Sequence, residues 1–146
     1  MESENLHHRP KPLLCPSAQP DMQESRVIGV VGGTPEDPRL GFLDEPQPVR
    51  RELLALAGDL HPTEIFRFAA ICEESKCSHF DGRNCNLATR IVNILPAVAN
   101  DLPTCRIRSE CRWYGQEGRE ACLRCPQVIT QNFSPSELVV LAATPA

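Results

Sequence analysis

Eight cysteines are the residues of this chain with the most distinctive chemistry. Four of them fall within CRIRSECRWYGQEGREACLRCP (105–126), and three more fall within CEESKCSHFDGRNC (72–85). Thiolates are soft, anionic donors that suit zinc and iron–sulfur clusters, so the cysteines are candidate metal ligands. A histidine in the second stretch, His79, is a further candidate. The predicted ligand set comprises Cys15, Cys72, Cys77, Cys85, Cys105, Cys111, Cys122 and Cys125.

The spacing of these cysteines favours an iron–sulfur cluster over zinc. Structural zinc sites usually pair two short knuckles, whereas this chain has a single CxxC, at Cys122 and Cys125. A four-iron cubane takes one cysteine at each of four separated corners and tolerates wider, irregular spacing. Eight thiols suffice for one or two 4Fe-4S clusters. Zinc is the alternative, and a disulfide or a thiol redox pair is the third choice.

A proline follows two of the cysteines, Cys15 in LLCP and Cys125 in CLRCP. CLRCP, residues 122–126, resembles the CxxC and Cys-Pro pieces of bacterial ferredoxins. The resemblance covers those five residues, and the closely spaced ferredoxin run is absent, so it implies neither the ferredoxin fold nor the ferredoxin role. The CxxxCxxC triplet of radical S-adenosylmethionine enzymes is also absent from the sequence.

Five arginines lie among the last four cysteines, where guanidinium groups can offset the negative charge of a thiolate-bound cluster and donate hydrogen bonds to sulfur. Trp113 and Tyr114 are placed to shield such a cluster from water. The competing interpretation is that the arginines form a solvated face paired with nearby glutamates and that Trp113 belongs to the core. The arginines are Arg106, Arg108, Arg112, Arg119 and Arg124.

The ends and hydropathy of the sequence predict a cytoplasmic protein without a membrane span. The first twenty residues are polar and proline-rich, and no stretch approaches the roughly 18 apolar residues of a spanning helix. Cytosolic thiols are kept reduced, which favours metal binding over disulfides.

The charge distribution argues against nucleic acid as a partner. The chain has a formal net charge of -4, and residues 72–125 carry eight Lys/Arg against seven Asp/Glu. An acidic chain is repelled by a phosphate backbone. We therefore expect a protein partner, a redox or biosynthetic enzyme.

The elements predict a small α+β domain over residues 25–146, preceded by an extended arm over 1–24. Arg26–Val31 and Arg39–Leu43 form a hairpin, and Glu64–Ile71 forms a third strand with Phe66 and Phe68 on one face. Helices are expected after Pro48 as far as Gly58, in NLATRIVNILPAVAN (86–100), where Pro96 should kink or restart the helix, and in GREACLRC. A further helix is expected near the C-terminus, where VVL is equally compatible with a strand. A small antiparallel sheet in the N-terminal half thus packs against helices, and a loop-dominated metal-binding C-terminal half (72–126) holds the cysteines.

These features predict an iron–sulfur protein that performs electron transfer or serves as an accessory in a biosynthetic pathway. One alternative is a zinc-binding interaction module without catalysis. The second is a cluster-dependent enzyme whose cluster binds substrate at an open iron, which requires a site with three cysteines.

Overall fold

The computed structural model describes residues 12–34, 37–128 and 137–144. Within these ranges the fold is mixed α+β, with a four-stranded antiparallel sheet of order β1-β4-β2-β3 and several helices. The strands are β1 (Leu14–Ala18), β2 (Arg26–Thr34), β3 (Asp37–Pro48) and β4 (Phe66–Ile71). The helices are α1 (Arg51–Leu54), α2 (Pro62–Ile65), α3 (Asn86–Ile94), α4 (Arg112–Glu117), α5 (Arg119–Arg124) and α6 (Glu137–Ala143).

The predicted hairpin is confirmed, and its strands are longer than the sequence indicated. β2 and β3 pair from Arg26 opposite Pro48 to Thr34 opposite Asp37, with an irregularity between Val27 and Gly29. The extra length comes from glycines and prolines that lack a strand signature but sit at positions where pairing allows them.

The central strand β4 divides the core between the two faces of the sheet. Phe66 and Phe68 lie on one face with their ring centroids 6.3 Å apart, as predicted, and belong to one apolar cluster. Ala69 lies on the opposite face and belongs to a second cluster, which includes Trp113. The cysteine-bearing half of the chain packs on this second face.

The third strand begins later than predicted, because Glu64 and Ile65 belong to helix α2. Pro62 occupies the first turn, and the His61 side chain accepts a hydrogen bond from the Thr63 backbone N–H at 3.2 Å. The Glu64 carboxylate accepts from the His61 backbone N–H at 3.3 Å, which completes a capping box. These local bonds commit the segment to a helical turn before the strand starts.

Strand β1 lies in the stretch that we predicted to be an extended arm. It pairs with β4 through Leu14 opposite Ile71 and Cys15 opposite Ala70, at the edge of the sheet. An edge strand tolerates Pro16, and the short, proline-containing segment shows no alternating pattern in the sequence. Residues 1–11 of the predicted arm lie outside the described residues.

The predicted helices before Gly58, in NLATRIVNILPAVAN, in GREACLRC and near the C-terminus correspond to α1, α3, α5 and α6. The second of these ends at Ile94 and does not restart after Pro96, because the residue before a proline is driven out of the helical region. The cysteine-rich half is more helical than predicted, because α4 and α5 follow each other around Gly118, which has φ +71°. Across the described ranges, no helix combines the length and the apolar character that crossing a membrane requires.

Candidate metal centres

The eight cysteines are free thiols and lie within the described residues. They divide into two groups of four, each lining a separate cavity. The cavity of the first group has a volume of about 420 Å³, and that of the second about 20 Å³. We name the first group site I, which consists of Cys15, Cys72, Cys77 and Cys85. The second group is site II, which consists of Cys105, Cys111, Cys122 and Cys125.

Site I is built where the sheet edge meets the polar loop after β4. The Cys72 backbone N–H donates to the Leu13 carbonyl at 2.9 Å, which holds the loop against the strand that carries Cys15. Cys77 follows a single 3₁₀ turn, Glu74–Lys76. Through the Cys72–Leu13 hydrogen bond, Cys15 lies at the same cavity as Cys72, although 56 residues separate the two in the sequence.

The last cysteine of site I is held by a side chain from α4. Gln116 accepts a hydrogen bond from the Cys85 backbone N–H at 2.8 Å and donates to the Cys85 carbonyl oxygen at 2.8 Å. The same amide nitrogen also donates to the Thr89 hydroxyl at 3.0 Å. Gln116 therefore fixes the start of α3 and the direction of the thiol at its N-terminal end.

Arg112 is the cation of site I. Its Nε donates to Cys72 Sγ at 3.0 Å, and its Nη2 donates to the Glu74 carboxylate at 2.9 Å. The side chain of Arg112 is 9% exposed, and its guanidinium lies 5.1 Å from the centroid of the Phe80 ring. A buried guanidinium that donates to sulfur favours a negatively charged group bound at that sulfur.

Site II lies between the sheet and helices α4 and α5. Cys122 and Cys125 are three residues apart at the end of α5, so their side chains share one face, and Cys111 immediately precedes α4. Cys105 enters from the loop before a 3₁₀ turn, Arg108–Glu110. The four thiols line a narrow, mostly apolar cavity of about 20 Å³. A cluster can enter only if these side chains rotate apart.

Arg67, in the middle of β4, is the arginine that donates to a thiol of site II. It is 2% exposed, and it donates to Cys125 Sγ at 2.9 Å and to the Cys125 carbonyl oxygen at 3.0 Å. Its Nε donates to the Pro16 carbonyl oxygen at 2.5 Å. Arg67 was not among the predicted site residues, although the sequence carries a signal for it: an arginine between two phenylalanines of an apolar strand must find a buried partner.

A second arginine at site II has an unsatisfied donor. Arg108 lines the cavity beside Cys105, and its buried Nε has no hydrogen-bond partner among the described residues. Its guanidinium lies 5.9 Å from the Tyr114 ring centroid, which orients the group. A buried donor without a partner costs free energy, so an acceptor placed in the cavity would be favoured there.

Burial raises the pKa of five of the eight thiols and so favours their neutral form; these are Cys15, Cys85, Cys105, Cys111 and Cys125. It raises the pKa of Cys15 to about 12, with smaller contributions from the other thiols of site I, and although the residue keeps some exposed surface its thiol is enclosed. Burial likewise raises the pKa of Cys111 to about 12. Thiol neighbours within the same site add to the raised pKa values of Cys85 and Cys125. Binding of a cation would reverse this preference, since coordinated thiols are deprotonated.

The other three predicted arginines donate hydrogen bonds to backbone carbonyl oxygens and contact neither cavity. Arg106 donates to the Asp44 carbonyl oxygen at 2.7 Å, Arg119 to that of Asn100 at 3.2 Å, and Arg124 to that of Leu95 at 2.7 Å. Only Arg108 and Arg112 of the predicted five line a site.

The two aromatic residues that we predicted to exclude water from a cluster, Trp113 and Tyr114, differ in which cavities they line. Trp113 lines both cavities and is 2% exposed, whereas Tyr114 lines the cavity of site II. His79 lies at the wall of site I, where its Nδ1 is 2.6 Å from Arg90 Nη2. Burial and then the Arg90 charge lower the pKa of His79, so the neutral ring is favoured.

Within the described ranges, no three His, Cys, Asp or Glu side chains stand close enough together to hold a single metal ion. Each site instead offers four thiols distributed around a cavity. No protein-family model matches this chain, and neither does any curated protein or any solved structure.

Proposed function

We propose that this protein binds two 4Fe-4S clusters, one at site I and one at site II, and transfers electrons to a protein partner in the cytoplasm. One observation carries the proposal: the eight cysteines divide four and four around two separate cavities. Four thiols are the complement that an all-cysteine four-iron cluster takes. Site I would hold its cluster through Cys15, Cys72, Cys77 and Cys85, and site II through Cys105, Cys111, Cys122 and Cys125.

The charges around the sites support an anionic ligand. Arg112 donates to a sulfur of site I, and Arg67 donates to a sulfur of site II. Arg108 adds a buried donor without a partner beside site II. Hydrogen bonds from cationic donors to cluster sulfurs stabilise the reduced state and help to set the reduction potential.

The ligand count favours electron transfer over catalysis at the cluster. An enzyme that binds substrate at an open iron needs a site with three cysteines, whereas each site here has four. A fully ligated cluster supplies one-electron chemistry without a position for substrate. A role as an accessory redox component of a biosynthetic pathway rests on the same property.

Metal content tests the proposal directly. Anaerobically purified protein should be brown, with broad absorbance near roughly 400 nm and about eight irons per chain. Colourless protein with stoichiometric zinc and no iron would contradict it and would support the zinc-binding interaction module.

Double substitutions test the division into sites. Replacing Cys77 and Cys85 with Ser should remove the cluster of site I and leave about four irons per chain, and replacing Cys122 and Cys125 should do the same for site II. Serine keeps nearly the same size, so each double variant is a matched control for the other. Full iron content in either variant would show that those thiols are not ligands.

A further inference from the structure

The two sites share a wall. Trp113 lines the cavity of site I and the cavity of site II, and it is among the largest fully buried side chains of the described residues. Arg67, which donates to the site II thiol of Cys125, also has its guanidinium 5.8 Å from the centroid of the Trp113 ring. The indole is thus packed between the two sets of ligands.

The backbone also brings ligands of the two sites together. Leu14 and Cys111 form an isolated parallel bridge, and Cys15 is the next residue after Leu14. Bridged backbones lie about 4.8 Å apart and consecutive Cα atoms 3.8 Å apart, so the Cα atoms of Cys15 and Cys111 are within about 9 Å. Ligands of different sites are therefore near neighbours.

The short segment 111–113 contributes residues to both sites. Cys111 belongs to site II, the next residue Arg112 donates to the site I thiol of Cys72, and the residue after that is Trp113. Likewise, Cys15 lines the cavity of site I, whereas the following residue, Pro16, lines that of site II. Two independent segments thus alternate between the sites.

From this shared construction we propose that the two sites form one coupled redox pair, separated by the Trp113 side chain. The inference rests on the proposed function, since it requires both clusters. With clusters held by the thiols of sites I and II, an external one-electron donor would lose one electron and the cluster that it reduces would gain it. Exchange across Trp113 would then pass that electron to the second cluster, with no bond made or broken.

Electron paramagnetic resonance of the reduced protein tests the coupling. Protein with both clusters, reduced by excess dithionite, should give a spectrum broadened by interaction between the two electron spins. The two double-serine variants, each with a single cluster, should give narrower signals. A spectrum of the eight-iron protein equal to the sum of the two single-cluster spectra would overturn the coupling and leave the proposed function intact, whereas absence of iron would remove both.

The position of Trp113 is tested by its fluorescence, because it is the only tryptophan of the chain. A cluster at either site should quench its emission strongly through close contact with the ring. Each single-cluster variant should therefore emit several-fold less than the same variant after its iron has been removed by chelation. Unchanged emission in either variant would show that Trp113 does not adjoin that site and would overturn the shared wall.

Discussion

Replacing Arg67 with Met removes one of the two arginine charges at site II and the hydrogen bond to Cys125 Sγ, while keeping an unbranched apolar side chain in the same space. The reduced cluster carries one more negative charge than the oxidised one, so loss of the cation disfavours reduction. We expect the midpoint potential of the site II cluster to fall and that of site I to change much less.

The size of the shift follows from Coulomb's law. Arg67 Nη2 lies 2.9 Å from Cys125 Sγ, so the charge would be roughly 5.5 Å from a cluster held by that thiol. At an effective dielectric constant of about 20, one unit charge at this distance is worth about 3 kcal/mol, or about 130 mV for a one-electron couple. Redox titration followed by electron paramagnetic resonance measures it for each cluster.

Two matched variants make this measurement decisive. Arg67→Lys keeps the positive charge, so the midpoint potential of the site II cluster should stay close to that of the unsubstituted protein. The Lys variant also tests the role of the charge if the Met variant does not fold. Arg112→Met should lower the potential of site I instead, since Arg112 donates to Cys72. A shift below about 30 mV, or about 0.7 kcal/mol, in an Arg67→Met protein with full iron content would refute the role of Arg67 in setting the potential of site II.

Three further predictions concern the ligands and the supporting fold. Cys15→Ser should lower the iron content towards that of a site I double variant, and unchanged iron and spectra would exclude Cys15 as a ligand. Gln116→Ala leaves the buried backbone of Cys85 without two hydrogen bonds and should lower the free energy of unfolding by about 1–3 kcal/mol in denaturant titration. Gly33 has φ +74° and its Cβ would meet a backbone carbonyl oxygen across the hairpin, so Gly33→Ala should lower the free energy of unfolding by more than about 1 kcal/mol. Gly32 has open space at the Cβ position, so the control variant Gly32→Ala should lower it by less than half of that. Equal effects of the two substitutions would contradict this geometry.

Local signals in the sequence were sufficient for most of the secondary structure. The hairpin, the β4 face with Phe66 and Phe68, and the presence of helix α3 follow from periodicity and from turn residues. The predicted helix continued past Pro96 with a kink or restart, whereas α3 ends at Ile94. The start of β4 was misplaced because the capping box between His61 and Glu64 competes with the strand signal.

Strand β1 was not predictable by the same means. It is five residues long and contains Pro16, so it has no alternating pattern of its own, and it is a strand because it pairs with the edge of β4. Isolated in the sequence, Cys15 had the weakest case for being a ligand, yet this pairing places it in site I.

The sequence alone determined which residues have ligand chemistry, because donor type and short spacing are local properties. Only the tertiary structure decided how the eight thiols are divided, since that depends on contacts between residues far apart in the chain. The tertiary structure likewise places Arg67 against Cys125, which are 58 positions apart in the sequence, and Arg112 against Cys72, which are 40 positions apart. The physical reason is that a buried cation must be paired within the low-dielectric interior, and its partner is whatever the packing of sheet and helices places within hydrogen-bonding distance.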